Sequence, residues 1–228
     1  MRAFIFPGQG SQSVGMGKAL FDASPVAREV FQEVDDALGQ KLFQLMSEGP
    51  EDQLTLTENA QPAIMANAVA TLRVLEKEGG VTLAAKADYV AGHSLGEYSA
   101  LCAAGAFDLA TTARLLKTRG QAMQAAADAM AEALGASPPA PPRVPGVANV
   151  TASPVSDADT IRDLLVQQVT GRVRWRESVG SMEDIGVTHF VEFGGKVLSP
   201  MVKRSASGEV ETVSVISMDD IEALLKTL

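Results

Sequence analysis

Apolar positions along the chain fall into two alternating patterns. Short unbroken apolar runs end at glycine, proline or a polar turn, and longer stretches space apolar residues three and four apart. The first run covers residues 3–6 and stops at Pro7-Gly8, which reads as a strand buried on both faces. Short stretches at 89–91, 147–150, 189–193 and 210–216, apolar or apolar with interspersed polar residues, predict further strands. Helical spacing predicts helices over 25–38, from about 58 to 79, 95–104, from about 108 onward, 157–168, 175–185, 196–204 and 219–226. The first of these is punctuated at both ends: Ser24 can cap it, Pro25 suits the first helical position and Gly39 suits the stop. Buried strands alternating with helices predict an α/β fold with a mainly parallel central sheet flanked by helices.

Two stretches depart from this rhythm. Residues 137–145 hold five of the eleven prolines, so a stiff, extended segment feeds the next strand. Residues 115–134 form a long polar-and-alanine run with Gly120 and Ala125-Ala126-Ala127 inside it. The pattern there allows one long helix or two helices with a kink near Ala127.

Composition narrows the class. At 228 residues the chain fits one large domain or two small ones, and 46% hydrophobic with 21% charged residues is globular, which excludes a disordered, collagen-like or coiled-coil chain. Cys102 is the one cysteine, so no intramolecular disulfide and no cysteine metal cluster can form, and a reducing compartment is expected. No targeting segment or run of about 20 apolar residues is present, so the expected location is cytoplasmic, off the membrane. A net charge of -9 argues against nucleic acid as a partner. No metal and no cofactor is expected, since only His93 and His189 could add imidazole ligands.

The candidate chemistry centres on Gly92-His93-Ser94-Leu95-Gly96, which lies between a predicted strand and a predicted helix. A G-x-S-x-G turn in that setting lifts the serine oxygen above the sheet, and the Leu95 N–H is placed to hold an oxyanion. His93 is a poor base for Ser94 because adjacent side chains diverge, and His189, opening an apolar strand, reads as structural. Gly8-Gln9-Gly10-Ser11-Gln12 fails the dinucleotide pattern at Ser13. It reads better as a loop whose Gln9 N–H is a second oxyanion donor. Arg119 can be a solvated helix charge or a guanidinium fork for a substrate carboxylate, and spacing alone leaves both open.

Four ordered motifs then carry a resemblance over nearly the whole chain. Residues 6–12, Thr57 through Gln61-Pro62-Ala63, Ala91 through Ala100, and Arg119-Gly120-Gln121-Ala122-Met123 resemble malonyl-CoA:acyl-carrier-protein transacylases of bacterial type II fatty-acid synthesis. Residues 191–198 resemble that family's closing motif, with Gly195 where proline is usual. The resemblance implies an α/β-hydrolase-like large subdomain of the acyltransferase family, with malonyl-CoA and acyl carrier protein as partners. It implies Ser94 as the nucleophile, Gln9 and Leu95 N–H as the oxyanion hole, and Arg119 as partner of the malonyl carboxylate. Gln168 stands where the family supports its catalytic histidine. Docking an acidic carrier on this acidic chain needs a local basic patch, for which Arg114, Lys117, Lys196, Lys203 and Arg204 are candidates.

The departure from the family is an absence. Its small ferredoxin-like subdomain follows the Arg-Gly-x-x-Met helix, with the catalytic histidine just beyond it. Here Met123-Gln124-Ala125-Ala126 runs straight into residues 127–134, which resemble the return helix. The expectation is a single core over 1–228 with a deletion seam near 124–128, engineered rather than natural, lacking both the small subdomain and the histidine. Three outcomes follow: a strongly attenuated transferase, a non-catalytic scaffold, or a residual esterase with water as acceptor. Apolar surface bared by the deletion leaves dimerisation open.

Overall fold

The computed structural model describes residues 1–122 and 127–228. Among them are six strands: β1 (Arg2–Phe6), β2 (Tyr89–Gly92), β3 (Gly146–Ala148), β4 (Ser153–Val155), β5 (His189–Phe193) and β6 (Glu211–Val215). They form one sheet in the order β4-β3-β2-β1-β5-β6. Every neighbouring pair is parallel except β3 with β4. The predicted α/β architecture is therefore observed, with one antiparallel edge strand.

Alternation along β1 explains the two-sided core. Phe4 and Phe6 face one layer with Phe193, while Ala3 and Ile5 face the other with Phe190. Helices Trp175–Asp184 and Leu198–Ser205 cover the second face through Val179, Met182 and Val202. The first face is covered by helices Pro25–Leu38, Thr57–Gly79, Leu109–Ala122 and Met218–Leu225. Helix Thr57–Gly79 is buried at every residue from 59 to 72, a stretch without a charged side chain, and its charges fall at Glu58 and at Arg73, Glu76, Lys77 and Glu78 near its two ends. No described helix is long and apolar enough to cross a membrane.

Local signals set several boundaries. Helix Pro25–Leu38 runs as the sequence predicts: Ser24 Oγ accepts from Ala27 N–H, and Gly39 closes the helix in the left-handed region at φ 57°. β3 ends at Ala148, two residues short of the predicted strand, because Asn149 turns and commits its side chain elsewhere. The helix predicted from 196 begins at Leu198, where the buried Glu192 carboxylate accepts from the N–H groups of Val197, Leu198 and Ser199. β4 was not predicted; it is three residues long, largely exposed and contains Pro154, which only an edge position tolerates. Four short helices, Lys18–Ala23, Leu42–Glu48, Glu51–Thr55 and Leu83–Lys86, were also missed, being too short to show a period.

Helices Leu109–Ala122 and Ala127–Ala136 lie on either side of residues 123–126. The choice between one helix and two, and the predicted seam near 124–128 up to residue 126, fall on those four positions and lie outside the described residues, while residues 127 and 128 open the second helix.

Ser24 offers a direct test of the capping argument. Its hydroxyl accepts from Ala27 N–H and donates to Glu78 at 2.5 Å, and the residue is fully buried. Ser24→Ala should lower stability by about 1–2 kcal/mol in urea unfolding, with an unchanged slope.

Candidate active site

The site forms where the chain leaves the carboxyl ends of β1, β2 and β3, the usual ligand edge of a parallel sheet. β2 passes through Gly92 into a sharp turn and then into helix Gly96–Ala103. Ser94 stands at the apex with φ 55°, a left-handed conformation that costs a non-glycine residue on the order of 1–2 kcal/mol. The turn is possible because its two glycines touch backbone directly. A Cβ on Gly92 would run into the Gly96 carbonyl, and one on Gly96 into the Phe6 carbonyl oxygen. The loop after β1 is thereby packed against the elbow, with Gln9 exposed at its tip.

Three residues singled out from the sequence come together here. The buried Arg119 guanidinium donates from Nη2 to Ser94 Oγ at 3.0 Å and to Gln168 Oε1 at 3.4 Å. From Nη1 it donates to Gln61 Oε1 at 2.7 Å, and its Cζ lies 5.8 Å from the Tyr98 ring centroid. Its Nε–H, also buried, has no partner among the described residues. Of the two readings the sequence left open, the solvated helix charge is excluded, because Arg119 is buried. Burial works against its charge, and no carboxylate hydrogen-bonds it among the described residues.

The two proposed oxyanion donors are free to act. Neither the Leu95 N–H nor the Gln9 N–H makes a hydrogen bond among the described residues. Leu95 heads helix Gly96–Ala103, so its N–H adds to the positive end of that helix. The Gln9 side chain reaches Thr57 Oγ1 at 3.4 Å.

Two further residues, which sequence reasoning did not single out, organise the elbow. Asn149 follows β3 and accepts from Ser94 N–H at 2.7 Å while donating to the Gly92 carbonyl at 2.6 Å. Glu97, buried in the first turn of the helix, accepts from Asn149 N–H at 3.0 Å and from Gln168 Nε2 at 2.5 Å. Gln168 Nε2 also donates to the Ser94 carbonyl at 3.1 Å. Burial pushes the Glu97 carboxyl up to about 7, while these hydrogen bonds and the nearby Arg119 charge hold it down. A polar residue at the carboxyl end of a buried parallel strand was the one available signal for Asn149.

Neither histidine hydrogen-bonds Ser94 among the described residues. His93 is half-buried, its ring edge-on to Trp175 at 5.8 Å, and burial lowers its basicity. His189 begins β5, at the amino end of the parallel strands and so at the end of the sheet away from the elbow, and pairs with Glu211 at 3.2 Å. The basic candidates divide between two elements. Lys117, beside Arg114 on helix Leu109–Ala122, bonds Gln40 and Asn59, whereas Lys196, Lys203 and Arg204 are exposed on or before helix Leu198–Ser205.

The elbow thus gathers a hydroxyl on a strained strand-to-helix turn, two N–H groups unpaired among the described residues, and a buried cation. The chain matches the acyl transferase domain family over residues 3–125, and it belongs to that family. Its similarity runs to malonyl CoA-acyl carrier protein transacylases. The Bacillus subtilis protein is 30% identical over 312 residues, spanning 99% of this chain and 96% of that one. The structure of the Bartonella henselae acyl-carrier-protein-S-malonyltransferase is 38% identical with a TM-score of 0.95, covering 99% of this chain and 98% of that one. A malonyl-transacylase in complex with a type II PKS acyl-carrier protein is 27% identical with a TM-score of 0.87, covering 100% and 99%. The Bacillus alignment is 312 positions long against 228 residues here, so at least 84 positions have no counterpart in this chain.

The Glu97 carboxyl predicts a pH dependence. Its folded value near 7 lies above the ordinary 4.5, so the folded state holds the proton more tightly. The stabilisation is complete below about pH 4.5 and is lost as pH rises through 7, by about 3 kcal/mol in all. Glu97→Gln removes this component. The difference in unfolding free energy between the two proteins, from urea melts between pH 4.5 and 8, should change by that order, and parallel curves would contradict it.

Proposed function

We propose that this chain is the large-subdomain core of a malonyl-CoA:acyl-carrier-protein transacylase, retaining the acyl site on Ser94 and lacking the family's histidine. The observation that carries the reading is Arg119: a buried guanidinium 3.0 Å from Ser94 Oγ, held by neutral amide oxygens and with no carboxylate bonded to it among the described residues. A cation so placed suits an acyl group that ends in a carboxylate. The match to the acyl transferase family stops at residue 125, beside the expected seam near 124–128, and the unmatched positions of the Bacillus alignment support a missing subdomain.

In this mechanism Ser94 Oγ attacks the malonyl thioester carbonyl. The O–C bond forms, the C–S bond breaks, and coenzyme A leaves as the thiol after the serine proton passes through solvent. The N–H groups of Gln9 and Leu95 receive the developing oxyanion. Arg119 binds the malonyl carboxylate, and Gln168 positions Arg119 and the Ser94 backbone. The thiol of acyl carrier protein then takes the malonyl group by the reverse chemistry.

The rate-limiting deficit is the base. Arg119 is a donor only, so it cannot take the serine proton, and its hydrogen bond occupies a lone pair on Oγ. Loss of the histidine costs on the order of 10⁶ in turnover in a serine hydrolase, with roughly 10³–10⁴ over water left from the oxyanion hole and binding. Transfer by this chain is therefore strongly attenuated.

Intact mass after incubation with malonyl-CoA and an acid quench tests this. One malonyl group should appear slowly, and none in Ser94→Ala. Arg119→Ala should slow malonylation by about 10²-fold without slowing acetylation from acetyl-CoA. A cooperatively folded protein that never acquires the adduct would instead be a scaffold. Acylation by a small activated ester alone would select the esterase.

A further inference from the structure

The strained conformation of Ser94 needs an external hold. Its own turn supplies backbone bonds from Gly96 N–H to the His93 carbonyl at 2.9 Å and from Glu97 N–H to the Ser94 carbonyl at 3.0 Å. Both begin after the apex or span it, and neither engages the Ser94 N–H. That N–H and the Gly92 carbonyl are taken up by one side chain, the amide of Asn149.

The pairing has a simple geometric origin. β2 and β3 run parallel, with Val90 opposite Gly146 and Ala91 opposite Val147. β3 stops at Ala148 while β2 continues to Gly92. At the next position the Asn149 side chain offers one acceptor and one donor in the plane of its amide, as a peptide unit would. It carries the β2–β3 ladder one step beyond the end of its own strand, onto a backbone that has begun to bend. Its main-chain N–H is anchored in turn by Glu97, three residues after Ser94.

We infer that Asn149 is a positioning residue for Ser94: its amide, bridging the Ser94 N–H and the Gly92 carbonyl, holds the elbow in its left-handed conformation and so aims the hydroxyl. Its relevance to catalysis rests on the proposed role of Ser94, but the hold itself does not. Asn149 touches no reacting atom in this arrangement. It acts through the backbone.

Amide hydrogen exchange on the full chain, followed by NMR, tests the hold without requiring activity. In the unaltered protein the Ser94 amide should be protected, whereas the neighbouring Leu95 amide, which has no partner among the described residues, should exchange faster. In Asn149→Ala the Ser94 amide should speed up by about tenfold or more, and the Ser94 backbone chemical shifts should leave their left-handed values. The β1 amides paired with β5 should stay protected, which separates local release from unfolding. Where the unaltered protein forms the malonyl adduct, the variant should lower its limiting rate and leave the half-saturating malonyl-CoA concentration unchanged. A Ser94 amide that exchanges as fast as Leu95 in the unaltered protein overturns the inference even if Asn149→Ala does not fold. So does continued protection in a folded variant. Absence of the adduct in the unaltered protein counts against the proposed function alone, and the exchange pattern still decides the role of Asn149.

Discussion

The structure depends on one place where backbone lies directly on backbone. Gly92 and Gly96 meet across the turn, and Gly96 meets the end of β1 at Phe6. Without side chains in the way, helix Gly96–Ala103 can start almost on top of β2, and Ser94 is forced into a conformation it would not choose. The first strand, the second strand and the helix are locked together by that contact. Everything in the cleft is then positioned relative to it: the loop carrying Gln9, the free Leu95 N–H, and the face of the sheet under Arg119.

Around the elbow the polar groups form a closed circuit rather than a set of pairs. Gln168 accepts from Arg119 and donates to Glu97, so one neutral amide sits between a buried cation and a buried acid. Glu97 and Arg119 therefore interact without a direct salt bridge, which would have consumed the cation. Asn149 ties the same acid to the turn. Amides suit this work because each offers a donor and an acceptor at fixed separation and no net charge.

The sequence made local features legible and left tertiary ones dark. Helix Pro25–Leu38 could be bounded to the residue because Ser24, Pro25 and Gly39 act on their own neighbours. The elbow was legible because two glycines around a serine, between a strand and a helix, have one good geometric explanation. Arg119 was not: whether it is solvated or buried depends on Gln61, Tyr98 and Gln168, which lie on three other helices. Asn149 was hidden for the same reason, since it acts on an elbow more than fifty residues earlier in the chain. Its signature in the sequence was only a polar residue where an apolar run ends, and the strand was drawn through it. Gln168 was reached by resemblance, and the fold then placed its amide at the junction of the network.

The net charge of the chain is negative, yet the Arg119 guanidinium buried beside Ser94 hydrogen-bonds neutral oxygens among the described residues. In the proposed function, a guanidinium so surrounded does not need neutral acyl groups to be excluded by size. A neutral group that enters leaves the guanidinium desolvated and still without a counter-ion, whereas a carboxylate completes it. On the proposed role of Arg119, discrimination of this kind rests on an unmet electrostatic demand, and it works by deprivation: the wrong guest fits and is simply not held.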